Sequence, residues 1–221
     1  MKILCVADQI DPLVYSSSIK SRFRDVDIVL GAGDLPLDYY SFIVSCLNKP
    51  LLYIFGNHEL SSLKAIKNRS AHDPENWIGD IQMKEKYGAT YIGGKTLRQD
   101  KVLITGLGGS MRYNDGENQF TEFQMFMRIL GLLPGLLWNR IIHGRWLDIL
   151  LTHAPPKGIH DRNDPCHRGF RVFRWFMRWF KPKYLVHGHV HLYRLDEIRR
   201  SEFHKTRIVN AFNHIVIDLE L

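Results

Sequence analysis

The sequence predicts an α/β fold built as a two-sheet sandwich. Short apolar runs ending in Asp, Gly, Asn or His alternate with polar, helix-compatible stretches through the first third of the chain, the pattern of parallel strands joined by crossover helices. Runs of the same kind continue to residue 187, and two longer β-like stretches close the chain as an antiparallel hairpin set. No repeat, low-complexity tract or Pro/Ser-rich linker interrupts the 221 residues, so 1–221 reads as one domain.

The first strand is expected over 3–7. Its start resembles a short signal peptide, but Asp8 and Asp11 break the run before an apolar region of sufficient length has formed, so it reads as a buried strand. Strands follow at 28–30, 51–55, 91–92, 102–106, 147–152 and 184–187, with the closing pair at 192–198 and 208–219. Residues 119–146 read as an apolar helical insertion. Its greasiest run, 129–138, lies between Arg128 and Asn139 and contains Pro134, so it falls short of the ~20 residues of a bilayer span and no transmembrane helix is predicted. Residues 168–183 carry Arg168, Arg171, Arg174, Arg178 and Lys181 at spacings of three and four, with Phe170, Phe173, Phe176, Met177 and Phe180 largely on other faces and no acid anywhere.

Composition excludes several classes. A hydrophobic content of 45% with 24% charged residues rules against disordered, collagen-like and disulfide-dense chains. Cys5, Cys46 and Cys166 form no Cys-X-X-Cys pair, so a zinc ribbon is excluded and a reducing, cytoplasmic location is expected. The net charge of +7 divides as +1 over 1–110 and +6 over 111–221, so an anionic partner should meet the second half.

The strand ends carry the chemistry: Asp8, Gly33-Asp34, Gly56-Asn57-His58-Glu59, Thr152-His153 and Gly188-His189-Val190-His191. In open α/β sheets ligands bind outside the carboxyl ends of the strands, so these side chains should gather at one rim. Singly each has a plain reading as helix cap, turn or satisfied histidine. Five together at five strand ends are hard to ascribe to turn chemistry. Carboxylate, amide and imidazole suit Mn, Fe, Zn, Co or Ni, and the lack of cysteine argues against structural zinc.

This ordered set, spanning residues 8–191, resembles the calcineurin-like metallophosphoesterase superfamily. The resemblance implies an αββα sandwich of two mixed sheets flanked by helices, with a two-metal centre that hydrolyses phosphomonoesters, phosphodiesters or pyrophosphate bonds. It implies Asp34 as the carboxylate bridging both ions. Asn57, His153 and His189 would complete one site, Asp8 and His191 would serve the other, and His58 would be the catalytic histidine that binds no metal. Glu59 or Asp34 would orient that imidazole. A hydroxide between the two ions, expected to be Mn or Fe with Zn, Ni, Co or Mg admissible, would attack phosphorus in line.

One departure stands out. The family's first motif is Asp-X-His, and here Ile10 occupies the histidine position of Asp8-Gln9-Ile10-Asp11. Water, Gln9 or Asp11 must complete that site, and an oxygen-rich three-ligand set favours Mn or Mg over Zn. The same departure keeps open a scaffold or binding protein on this fold whose metal chemistry is degraded.

Arg112 and Asn114, after the Gly106-Leu107-Gly108-Gly109 run, are candidate phosphate contacts. His160, Asp161, Asp164 and His167 read as loop-ordering or substrate-gating residues, and a Cys166–His167 thiolate pair is the least favoured reading. The apolar insertion and the basic helix admit three roles. They are ordinary packing with snorkelling arginines, a cap facing an anionic membrane or a phospholipid or lipid-pyrophosphate substrate, and a homodimer or nucleic-acid surface using Trp175 or Trp179. No separate nucleic-acid motif supports the last. The expected partner is a small phosphoester substrate, and the expected location is cytoplasmic or peripheral at the membrane.

Overall fold

The computed structural model describes residues 1–58, 87–194 and 196–220. Two mixed sheets form its centre. The first has the order β13 (Asn213–Asp218), β1 (Lys2–Ala7), β2 (Ile28–Gly31), β3 (Leu51–Tyr53) and β4 (Ala89–Tyr91), parallel except for β13, which runs antiparallel to β1. The second has the order β11 (Arg200–Phe203), β12 (Thr206–Asn210), β10 (Tyr184–His187), β9 (Ile149–Thr152), β6 (Val102–Leu107) and β5 (Thr96–Gln99), parallel in the middle with antiparallel strands at both edges. A short parallel ribbon, β7 (Ser110–Met111) with β8 (Gln119–Phe120), leads into the long helix.

Period-two patterning explains the layers. On β1, Ile3, Cys5 and Ala7 point between the sheets, where they meet Ile104, Leu151, Val186 and Val209. Leu4 and Val6 point outward to the layer of α1 (Ile19–Arg22) and α2 (Leu37–Leu47). On the far side α3 (Glu122–His143) and α4 (Arg171–Phe180) cover the second sheet through Met125, Ile129, Phe173 and Phe176. The result is the αββα sandwich that the sequence predicts, its central parallel strands buried on both faces.

The closing segment differs from expectation. Residues 192–194 and 196–198 form no strand; β11 begins at Arg200, and β12 and β13 belong to different sheets rather than to one hairpin. β12 extends the second sheet beside β10, and β13 crosses over to satisfy the open edge of β1, a pairing between opposite ends of the chain that local patterning does not encode.

The insertion forms a single 22-residue helix. Thr121 and Gln124 make a reciprocal capping box at its start, and Gly144 at φ 71° ends it in the left-handed region. Pro134 sits inside the helix on its exposed side and does not end it. By length and composition α3 is long and apolar enough to cross a bilayer, so the length argument drawn from the shorter run does not hold, while one face of the helix is buried against the second sheet.

Candidate metal centre

Each ligand candidate sits where a strand stops and the chain turns sharply. Asp8 follows β1, Asp34 lies three residues beyond β2, and His189 lies two beyond β10, and all three adopt left-handed backbone angles, φ 66°, 56° and 69°. For residues other than glycine this costs about 1–2 kcal/mol each, and such strain gathers at functional sites. The surrounding bonds hold it. The Asp8 amide donates to Gly33 O at 3.1 Å, and the His189 amide donates to both Asp8 carboxylate oxygens at 2.8 and 3.0 Å. The His58 amide donates to Asp34 Oδ1 at 2.8 Å. Two glycines are required by close approach. A Cβ on Gly56 would stand 2.0 Å from Asp34 Oδ1, and one on Gly188 would stand 2.7 Å from Asp8 Oδ2.

These turns bring a carboxylate oxygen of Asp34 and one ring nitrogen each of His153 and His189 within 4.8 Å of one another. The ring orientations are set from behind. His153 Nδ1 donates to Ala32 O at 2.8 Å, which turns Nε2 toward Asp34 Oδ2 and Asn57 Oδ1, both at 3.2 Å. His189 Nε2 donates to Cys166 O at 2.7 Å and leaves Nδ1 for a ligand. Carbonyl acceptors that fix the tautomer in this way are the usual support of metal-bound imidazoles. His191 stacks on Phe212, with its Nδ1 2.6 Å from the Tyr193 hydroxyl, so Nε2 is the nitrogen left over.

The carboxylates and imidazoles of the cluster shift one another's protonation. Burial lifts the Asp8 carboxyl to about 7, against the lowering pull of His153 and with Asp34 adding to the rise. Burial works against the charge on His153, but the Asp34 and Asp8 carboxylates outweigh it and hold its pKa up at about 9. Burial also opposes the charge on Asp34, and there His153 and the His58 amide win, pulling it down to about 2. His189 is pushed down to about 3 by burial and by the nearby His153, so it stands as a neutral imidazole, the form that binds metals. A half-buried carboxylate of Asp34 with the imidazoles of His153 and His189 and the Asn57 amide oxygen forms a hard-to-borderline donor set suited to a divalent ion.

Other candidates fall elsewhere. Asp11 directs Oδ2 to His214 Nδ1 at 2.6 Å and accepts the Leu13 amide on Oδ1 at 2.7 Å, so both oxygens are engaged away from the ligand cluster. Ile10 is exposed. Arg112 reaches Gln124 Oε1 at 3.3 Å, and Asn114 uses its side-chain oxygen on the Gly116 amide and on Gln119. The residue of that loop that meets the ligand set is Tyr113, whose hydroxyl accepts from Asn57 Nδ2 at 3.3 Å; one aromatic in a polar loop carries no signal in the sequence. His167 packs its ring against His189, while its Nδ1 lies 2.8 Å from Asp164. Asp161 orders the loop through Lys157 and the amides of Gly158 and Gly169. His58 is exposed beside Asp34, and Glu59 lies outside the described residues.

An αββα sandwich whose strand ends bring a carboxylate, an amide and two imidazoles together presents a candidate metal site. The chain belongs to the calcineurin-like phosphoesterase family, whose model matches residues 1–193. One crystal structure shares 13% identity and a TM-score of 0.68, with 98% of this chain and 94% of that chain covered. The crystal structure of TT1561 of Thermus thermophilus shares 12% identity and a TM-score of 0.61, over 96% of this chain and 89% of that one. At these identities the likeness shows the fold. No curated protein matches the sequence.

Proposed function

We propose that this protein hydrolyses a phosphodiester or phosphomonoester at a centre holding two divalent ions, Mn or Fe in preference to Zn. Membership of the family carries the coarse activity. The observation that supports the centre is the convergence of Asp34, His153 and His189 within 4.8 Å, with Asn57 Oδ1 beside them. Asn57, His153 and His189 would hold one ion, Asp8 and His191 the other, and Asp34 both. Bound there, divalent ions neutralise the phosphoryl oxygens and make water a nucleophile near neutral pH.

The chain's own contribution is positioning. Ala32 O and Cys166 O fix the two imidazole tautomers, the His58 and His189 amides hold the two carboxylates, and the Tyr113 hydroxyl anchors the Asn57 amide. The His58 side chain, exposed next to Asp34, would stabilise charge on the phosphoryl group or give a proton to the leaving oxygen.

Metal-stripped protein titrated separately with Mn, Mg, Zn, Ni and Co should recover hydrolysis of bis-p-nitrophenyl phosphate or p-nitrophenyl phosphate. Asp34→Asn and His58→Ala should each lose at least ~10²-fold. Silence with every metal, together with fewer than two ions bound, would defeat the reading and favour a scaffold in which Ile10 has disabled the first site.

A further inference from the structure

The outward side of α3 is apolar where a helix on a water-facing surface would be polar. Met125, Ile129, Leu132 and Leu136 face the second sheet. On the opposite side Phe123, Met127, Gly131, Pro134, Trp138 and Ile141 recur at spacings of three and four, with Leu137 and Ile142 beside them. Phe123 is 70% exposed, Trp138 64% and Ile141 75%. This stripe follows a helix about 33 Å long and contains no charge.

The stripe continues onto α4. Phe126 of α3 meets Trp175 edge-on at 5.8 Å, and Trp175 meets Trp179, itself 63% exposed, at 5.5 Å. Arg171, Arg174, Arg178 and Lys181 are exposed along the same helix and its end, Arg174 with its guanidinium over the Phe203 ring, and Arg168 lies just before the helix. The one acid on either helix, Glu122, is turned onto the amides of Arg171 and Val172 at 3.2 and 2.8 Å. Among the described residues none of these five cations is in an ion pair. The face thus joins a large apolar surface to uncompensated positive charge.

We propose that the outer face of α3 and α4 docks on an anionic phospholipid bilayer, with α3 lying in the plane of the interface. Three arguments select this occupant. The charge is complementary, since arginines flanking exposed Trp and Phe match the headgroup and acyl layers of an anionic leaflet. A second copy of the chain would bring further arginines to the face and no acid to meet them. Nucleic acid would engage the arginines but would leave the uncharged α3 stripe in water. Because the sheet side of α3 is committed to the core, the helix lies on the membrane and does not span it. A cleft of about 400 Å³ lined by Glu122, Lys157, Arg168 and Arg171 lies at the starts of the two helices. The docking itself does not depend on hydrolysis.

The test is flotation of the full chain with vesicles of phosphatidylcholine alone and with about one-third phosphatidylglycerol, at roughly 0.05 and 0.5 M salt. The protein should float with the anionic vesicles at low salt, at least ~10-fold more than with the neutral ones, and its Trp emission should shift to the blue. Two independent variant pairs, Trp138→Ser with Ile141→Ser and Arg174→Glu with Arg178→Glu, should each weaken partitioning at least ~10-fold while melting cooperatively. Wild-type protein left in the soluble fraction with every vesicle overturns the proposal. So does vesicle binding that neither folded pair weakens. A dimer in sedimentation that Trp138→Ser dissolves, or oligonucleotide binding that needs only the arginines, overturns it when vesicle binding is absent.

Discussion

At the scale of single residues, the centre depends on side chains held from outside the ligand set. Asp8, Asp34 and His189 occupy left-handed backbone angles that only the surrounding amide bonds sustain. Tyr113 is the clearest supporting residue, because its hydroxyl anchors the Asn57 side-chain amide beside the ligand cluster. Tyr113→Phe removes the hydroxyl while keeping the ring. It should weaken metal affinity by ~10-fold or more with the fold intact, as loss of an outer partner does in other metal sites. Titration of metal-stripped protein would check this, and unchanged affinity would remove Tyr113 from the centre.

Among the elements, the loops are tied to the sheets by buried polar chains. One such chain has a defined direction. His187 Nδ1 donates to Gly188 O at 2.9 Å, so its Nε2 accepts from His160 Nδ1 at 2.9 Å, and His160 Nε2 in turn accepts from the Ser201 hydroxyl at 2.8 Å. It links the β11 edge and the loop after β9 to the turn that carries His189. Burial pushes His160 down to about 4, below its ordinary 6.5, so the folded protein refuses a proton that the unfolded chain accepts between those values. Stability is therefore full above pH ~6.5 and falls as pH drops through 6.5 toward 4. Urea unfolding at several pH values should show this slope, and His160→Gln should flatten it; an unaltered slope would mean that His160 does not contribute.

Over the whole molecule, the two sheets close a rim to which strands of opposite halves deliver the ligand candidates. Asp8 and Asp34 come from the first sheet and His153 and His189 from the second, so any ion they share ties the sheets together. Burial lifts the Asp8 carboxyl, so a cation beside that carboxylate is favoured. Chelation is expected to lower Tm by roughly 5–10 °C, and added Mn should restore it. A Tm indifferent to chelator and to added metal would mean that no ion is held between the sheets.

The class of the fold, the order of most strands and the positions of the ligand candidates can be read from the residues alone, because period-two burial and the residues that stop a strand are local signals. Strand 184–187 and the turn glycines are legible for that reason. Long-range packing instead sets the destination of β13, which leaves the closing pair to seal β1, and denies a strand to the segment before β11. It also turns Asp11 to His214, brings Tyr113 to Asn57, and leaves the apolar stripe of α3 facing outward. These are contacts between segments up to 216 residues apart, as in the Lys2–Asp218 pair of β1 and β13, and periodicity does not carry pairing information over that separation.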